Sequence, residues 1–408
     1  MDKARLAAFK AFTRIRNGAY SNLISIGDGL QGLDRAFAES IAIGTLERAK
    51  TLEFILSDSV KSDTNDDILA LLMTGLYQIL YMDRVPDSAA CDETVNIAKT
   101  LFGVKNAGFV NAVLRNSCRG KDIIFKKIES SKAYIKYSAN QELYALIEAQ
   151  YGQDTERIFE AFFGKTPMFL RVNTLKSNSN KVAQIVHGEV IDDACVTVDS
   201  ASTAISFIEN GDYYIQGFAS QKAVKLLGAQ KGDLVVDVCA CPGGKSLGAA
   251  IDMQNEGRIY SFDIHKNKLP LIQKSAERLG IDIIETDVHD ARNAREALIG
   301  KADKVICDVP CSGSGVMGSK PEIKYKSPKE FSRLYETQRA ILDSASKYLK
   351  VGGTMVYSTC SINKLENEDN LKRFLEENKN FKKIHEETCL PFNIEREGFY
   401  MAKLVREF

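Results

Sequence analysis

Apolar residues recur at helical spacing over the first third of the chain and give way to short, strand-length runs further on. In DILALLMTGLYQILYM (67–82), Ile68, Leu71, Leu72, Leu76, Ile79 and Leu80 share one face of a 3.6-residue period and predict an amphipathic helix. Thr64 or Asp66 is expected to cap it, and Pro86 ends the pattern. Phe37, Ile41 and Leu46 mark an earlier helix, and Phe109, Val110, Val113 and Leu114 a later one. Residues 1–138 therefore read as an all-helical bundle. From about residue 219 the runs LVVDV (234–238), RIYSF (258–262), DIIET (282–286), KVICDV (304–309) and TMVYST (354–359) alternate with helical stretches such as 266–278 and 329–349. Repeated βα units predict an α/β domain over 219–408, with a parallel sheet covered on both faces. Residues 139–218, with PMFLRVNTLK (167–176) and YYIQGFASQKAVKLLG (213–228), form a small mixed α/β segment between the two.

Composition narrows the class. The 408 residues are 44% hydrophobic and 26% charged, which excludes a disordered or collagen-like chain. Lys plus Arg and Asp plus Glu both number 54, so a nucleic-acid partner has to be met by a local patch. Residues 103–136 supply one: Lys105, Arg115, Arg119, Lys121, Lys126, Lys127, Lys132 and Lys136 face only Asp122 and Glu129, a local balance of +6. Such a run is either a solvated helix face or a phosphate-contacting surface. No apolar run approaches the roughly 20 residues that span a bilayer, and MDKARLAAFKAFTRIRNG (1–18) has no signal-peptide core. A cytoplasmic monomer without membrane contact is expected. The nine cysteines are odd in number and include no CxxC pair; Cys239 and Cys241 form only a CxC, and His289 and His385 lack ligand-spaced partners, so no metal is expected.

The loop DVCACPGGKS (237–246) follows an apolar strand and opens a helical stretch, where glycines and a helix N-terminus favour an anionic or nucleotide-like ligand. The dinucleotide fingerprint is absent, and a phosphate-binding P-loop would need glycine where Cys239 stands. Asp263 ends the next strand, 26 residues after Asp237, a position suited to ribose hydroxyls or to capping the helix at 266–278. Asp287 and Asp290 follow the third strand, within reach of an adenine amino group.

CDVPCSGSG (307–315) places Asp308 and Cys311 at the end of the fourth strand, and YSTCSI (357–362) places Cys360 at the end of the fifth. Residues just past the carboxyl ends of parallel strands line the ligand crevice, so the two thiols are able to face one substrate. A buried structural thiol is the ordinary fate of either cysteine alone. A pair beside an acid suits methylation of carbon 5 of a pyrimidine. A thiolate added to carbon 6 makes carbon 5 nucleophilic, an acid near the ring nitrogen stabilises the developing charge, and a base removes the carbon-5 proton. The target base must be unstacked to be reached.

CACPGGK, DVPCSGSGV and STCS, in this order, resemble motifs I, IV and VI of the RNA (cytosine-5)-methyltransferases of the Sun group. LRVNTLK (170–176), IQGFASQ (215–221) and EGFYMAKL (397–404) are similar to further segments of that family. RVPDSAACDETVNIAK (84–99) and GFVNAVLRN (108–116) resemble a NusB-like RNA-binding domain, and the combination resembles the bacterial 16S rRNA enzymes of the RsmB/Sun/Fmu type. The resemblance implies a Rossmann-like fold using S-adenosylmethionine, with 16S rRNA as partner. It implies that Cys360 is the nucleophile, that Cys311 assists product release, and that Asp308 sits between cofactor and cytosine. Cys239, Ala240, Cys241, Pro242, Gly243, Gly244 and Lys245 would hold the cofactor, with Asp263 on the ribose and Asp290, rather than Asp287, on the adenine. Lys245 would either favour the thiolate or neutralise the cofactor carboxylate. Two departures stand out: Cys241 replaces the second alanine of CAAPGGK, and MGSKP (317–321) replaces a basic pair, leaving Lys320, Lys324 and Lys326 as RNA-contact candidates. The rival readings are the same chemistry on another RNA, such as transfer RNA, and a non-catalytic RNA-binding or assembly factor.

Overall fold

The computed structural model describes residues 2–19, 24–164, 167–199 and 201–408. The first part is helical: α1 (Lys3–Arg16), α2 (Gly32–Glu47), α3 (Ala49–Leu56), α4 (Asp66–Tyr81), α5 (Asp87–Arg119, broken at Gly103), α6 (Lys121–Glu129), α7 (Ala133–Lys136), α8 (Gln141–Tyr151) and α9 (Thr155–Ala161). The expected amphipathic helix is α4, and its apolar stripe is buried. Its cap is Asn65 rather than Thr64 or Asp66. The Asn65 side chain accepts from the amides of Asp67 (2.9 Å) and Ile68 (3.3 Å). Thr64 stands one residue too early, and Asp66 is already in the first turn, where its charge suits the helix N-terminus. Leu72 and Leu76 are completely buried, each stabilising the bundle by about 1.5–3 kcal/mol. Gly44 permits the close approach of α2 and α4, because a Cβ there would run into the Tyr77 ring.

The chain forms two compact units, one of Met1–Phe163 with Met317–Pro328, the other of Gly164–Val316 with Lys329–Phe408. The helical unit thus runs past the expected boundary at 138. Aromatic packing explains the extension: Tyr137 stacks on Tyr144 (6.4 Å between centroids), Tyr144 on Phe159 (5.0 Å), and Phe159 meets Phe162 edge-on (6.4 Å).

The inserted segment 317–328 fills the junction of α2 and α3. There the Tyr325 hydroxyl donates to the Leu46 carbonyl (2.5 Å) and accepts from the Ala49 amide (3.2 Å). Lys324 Nζ donates to the Glu47 carbonyl (2.7 Å) and lies 4.2 Å from the centre of the Phe163 ring. These groups satisfy backbone atoms that the end of one helix and the start of the next leave free. Lys324 is therefore no RNA contact: its side chain is fully buried. Burial pulls its ammonium down to about 7, against the opposing pull of Glu47.

The second unit holds two sheets. The smaller, β1 (Met168–Val172), β2 (Glu189–Asp192), β3 (Cys195–Val198) and β4 (Tyr213–Ile215), is antiparallel in the order β2-β3-β1-β4, with α10 (Ser179–Val186) and α11 (Ala201–Ser206) in its connections. After α12 (Phe218–Leu227) comes the larger sheet. Its elements are β5 (Leu234–Asp237), α13 (Gly244–Asp252), β6 (Arg258–Asp263), α14 (Leu269–Leu279), β7 (Ile284–Val288), β8 (Ala302–Asp308), α15 (Ser332–Ser346), β9 (Leu349–Thr359), α16 (Glu368–Glu377), β10 (Phe381–Cys389) and β11 (Phe399–Arg406). The order is β10-β11-β9-β8-β5-β6-β7. The five strands β9-β8-β5-β6-β7 are parallel as expected, but β11 pairs antiparallel with β9 and β10 antiparallel with β11. Strand β7 lies two residues beyond the expected 282–286. Two buried side chains join the sheets. Arg171 on β1 pairs with Asp252 (2.7 Å) at the end of α13, and Asn173 donates to the carbonyls of Gly211 and Leu279 (both 2.9 Å). The LRVNTLK segment thus fixes α13, the helix that opens at the ligand loop.

Candidate active site

Strand order reverses between β5 and β8, and the loops leaving these two strands open onto one crevice. A cavity of about 200 Å³ occupies it. Of the residues singled out from the sequence, Cys239, Ala240, Cys241, Pro242, Gly244, Lys245 and Asp308 line it. Gly243 shapes the loop from behind: its φ is +110°, and a Cβ there would press on Ile272 at 3.1 Å. The peptide between Cys241 and Pro242 is cis.

Asp263, at the end of β6, accepts from the Cys241 amide (3.2 Å) and the His265 amide (2.8 Å). It braces the loop rather than capping α14, which begins after a 3₁₀ turn at Lys266–Lys268 and has no side-chain cap. Asp290 is held by Arg292 through Nε (2.9 Å) and Nη2 (2.5 Å), which lowers its carboxyl. Asp287 is tied instead to Arg295 (2.6 Å). Burial pushes the Cys239 thiol well up, and the charges of Asp237, Asp308, Asp263 and Asp290 add to that rise.

Asp308 ends β8. Its Oδ2 accepts from Lys245 Nζ (2.7 Å) and its Oδ1 from Ser358 Oγ (2.7 Å) on β9. Burial works against the charged Lys245, but Asp308, Asp237 and Cys360 outweigh it and hold the ammonium above its ordinary value. The Sγ atoms of Cys311 and Cys360 lie 3.0 Å apart. The hydrogen bond with Cys360, then burial, pushes the Cys311 thiol well up, and Glu366 adds to it. The two thiols, Asp308 and Lys245 are thus drawn together from three loops.

Several residues came from tertiary structure alone. Asp237 is 1% exposed, and its Oδ2 accepts from Ser246 Oγ (2.6 Å), while its Oδ1 is buried without a partner. Burial raises its carboxyl to about 7. A lone acid ending the apolar run LVVDV was the available signal. Gln216 and Ser220 line the same cavity, and the Tyr214 hydroxyl donates to the Gly244 carbonyl (2.8 Å) and lies 3.1 Å from Gln216 Oε1. Glu387, Cys389 and Glu395 bring ligand atoms within 4.8 Å of one another. Lys222 bonds both carboxyls (2.5 and 2.9 Å), as in an ordinary half-buried ion pair. Among the described residues no helix is long and apolar enough to cross a membrane.

Residues 224–405 match the family described as 16S rRNA methyltransferase RsmB/F, and residues 2–119 match the NusB family. The probable ribosomal RNA small subunit methyltransferase B of Bacillus subtilis is 32% identical over 385 residues, 90% of this chain and 86% of that one. The chain belongs to the RsmB/F methyltransferase family. The ribosomal RNA small subunit methyltransferase B of Vibrio vulnificus is 30% identical over 394 residues, 92% of each chain. Among solved structures, PH0851 aligns over 99% of both chains with a TM-score of 0.80 at 24% identity. NSun6 from Pyrococcus horikoshii, solved with SFG, aligns over 66% of this chain and 98% of that one with a TM-score of 0.59 at 20% identity. These likenesses show the fold: a helical NusB region followed by a Rossmann-like sheet, as the RsmB/F family combines them.

Proposed function

We propose that this RsmB/F family member methylates small-subunit ribosomal RNA at carbon 5 of a cytosine through a covalent adduct on Cys360. The observation that carries the reading is the 3.0 Å approach of two thiols from adjacent strand ends, beside the Lys245–Asp308 pair. S-adenosylmethionine, when bound, supplies the electrophilic methyl group. The crevice suits it: the unpartnered Asp237 Oδ1 is an acceptor for an ammonium, and Asp263 is placed for the ribose. Asp290, just past the end of β7, is assigned to the adenine side.

The Cys360 thiolate adds to carbon 6 of the cytosine, and the electron pair of the 5,6 double bond moves into the ring toward N3. Lys245, held in place by Asp308, stabilises that charge from a preorganised position. Carbon 5 then takes the methyl group. Its proton passes to a water-borne base, the C–H electron pair restores the double bond, the carbon–sulfur bond breaks, and Cys360 leaves as thiolate with Cys311 assisting. The 3.0 Å approach of the two sulfurs suits this division of labour, because a thiolate on one accepts a hydrogen bond from the thiol of the other. The cations of 103–136 offer a phosphate-contacting face for the RNA.

The test uses unmodified 16S RNA, labelled S-adenosylmethionine, and the wild-type, Cys360→Ala and Cys311→Ala proteins. Label on one cytosine, lost in Cys360→Ala, with a protein–RNA adduct accumulating in Cys311→Ala, is the expected result. Tight RNA binding without methyl transfer by the wild type rejects the catalytic reading for that RNA. Transfer to transfer RNA alone shifts the substrate.

A further inference from the structure

The catalytic pair depends on a residue that touches neither sulfur. Glu366 lies beyond the β9 loop, completely buried, and no cation pairs with it among the described residues. Its Oε1 accepts from the Ser312 amide (2.7 Å) and from Gln338 Nε2 (2.9 Å) on α15. Its Oε2 accepts from Ser312 Oγ (2.5 Å) and Ser361 Oγ (2.6 Å). Ser312 directly follows Cys311, and Ser361 directly follows Cys360. The network closes around them: Ser361 Oγ lies 2.8 Å from Ser314 Oγ, which accepts from the Ile362 amide (3.1 Å), and Gln338 Nε2 also donates to the Pro310 carbonyl (2.9 Å).

We propose that Glu366 is a positioning residue, a clasp whose single carboxyl fixes the Cys311 and Cys360 loops in register and so sets the gap between the two sulfurs. The two loops leave different strands, 49 residues apart in the chain. Each thiol sits one residue from the clasp, so a change in the clasp moves the sulfurs before it moves the strands. Among the described residues, no side chain other than Glu366 and the two serines themselves bonds both residues that follow the cysteines. The assignment rests on the two-cysteine chemistry above, but its geometry is testable without RNA.

The experiment compares wild type, Glu366→Ala, Glu366→Gln and Glu366→Asp on two readouts. The first is steady-state methylation, split into kcat and KM. The second is the rate at which diamide joins Cys311 to Cys360, followed by peptide mass spectrometry. In that step the two thiols give up two protons and two electrons, a sulfur–sulfur bond forms, and the diamide N=N bond is reduced to a hydrazine. Cofactor affinity and thermal midpoint report the fold. A displacement of about 1 Å costs roughly 100-fold in rate, so Glu366→Ala should lose about that in kcat with KM little changed and join its cysteines at least tenfold more slowly. Glu366→Gln keeps an acceptor for the Ser312 amide, and its amide donates to the rotatable serine hydroxyls, so it should recover to within about tenfold of wild-type kcat. If Glu366→Ala does not fold, Glu366→Asp decides, because its shorter arm leaves one loop unheld. A folded Ala or Asp variant with wild-type kcat or a wild-type joining rate overturns the clasp. Normal joining in wild type together with no methyl transfer to RNA rejects the methylation chemistry and leaves the clasp standing.

Discussion

In the helical unit charge is spent at the surface in pairs, whereas in the sheet unit it is buried around one crevice. Of the eight cations of 103–136, Arg115 pairs with Asp92 (2.5 Å), Lys121 with Asp87 (2.6 Å), Lys136 with Glu129 (2.8 Å), and Lys127 with Asp58. That leaves Lys105, Arg119, Lys126 and Lys132 without an ion pair among the described residues, half of the apparent patch. In the sheet unit, Asp237 and Glu366 are each at most 1% exposed, and Lys245 Nζ sits on Asp308 at 2.7 Å. A surface charge is worth little alone and is screened by salt, while a buried one has to be matched group by group. Charge counted along a chain therefore overstates a surface, and says little about a crevice.

The contrast is sharpest at Asp237. Burial raises its carboxyl from the ordinary carboxylate range to about 7. In the cofactor-free protein the stability it contributes is full below about pH 4 and lost as pH rises through 7. Asp237→Asn escapes that loss, so its thermal midpoint should gain on wild type between pH 5 and pH 8. It should also weaken S-adenosylmethionine by about 2 kcal/mol or more, roughly 30-fold, measured calorimetrically. A midpoint difference that is flat with pH breaks the comparison on the buried side.

A smaller effect is expected where the helical unit does bury a polar group. Tyr325→Phe leaves the Leu46 carbonyl and the Ala49 amide without their hydroxyl partner, which should cost about 1–3 kcal/mol in denaturant unfolding of that unit. The smallest effect belongs to the surface. Lys126→Ala with Lys132→Ala should lower the salt slope of RNA binding by about 2, with a loss of severalfold in affinity at moderate salt. Equal slopes for these and for the already paired Lys121 and Lys127 would show that the pairing seen here does not decide which cations meet phosphate.

Periodicity made the helical bundle and the parallel strands legible, because both bury one face at a fixed spacing. It missed β10, FKKIHEETC, in which only Phe381 and Cys389 are buried and no alternation survives. The cysteine loops and the glycine-rich loop were legible because strand ends in an α/β sheet converge. Glu366 was not. In SINKLENEDN (361–370) it reads as one of several exposed acids, and only folding brings Ser312, 54 residues away, onto it. Lys324 misled for the same reason: a lysine in a polar loop reads as solvated until a helix junction closes over it.

The excursion of residues 317–328 into the helical unit has a consequence for synthesis. Although that unit begins at the N-terminus, it is incomplete until Tyr325 has left the ribosome, by which time β1 to β8 have already been made. At usual elongation rates roughly ten to thirty seconds separate Phe163 from Pro328, and during that interval the α2–α3 junction waits without the side chains that close it. A nascent chain stalled in that window would hold an open bundle and a large sheet still lacking β9, β10 and β11, so neither unit can close until the last fifth or so of the chain is being made.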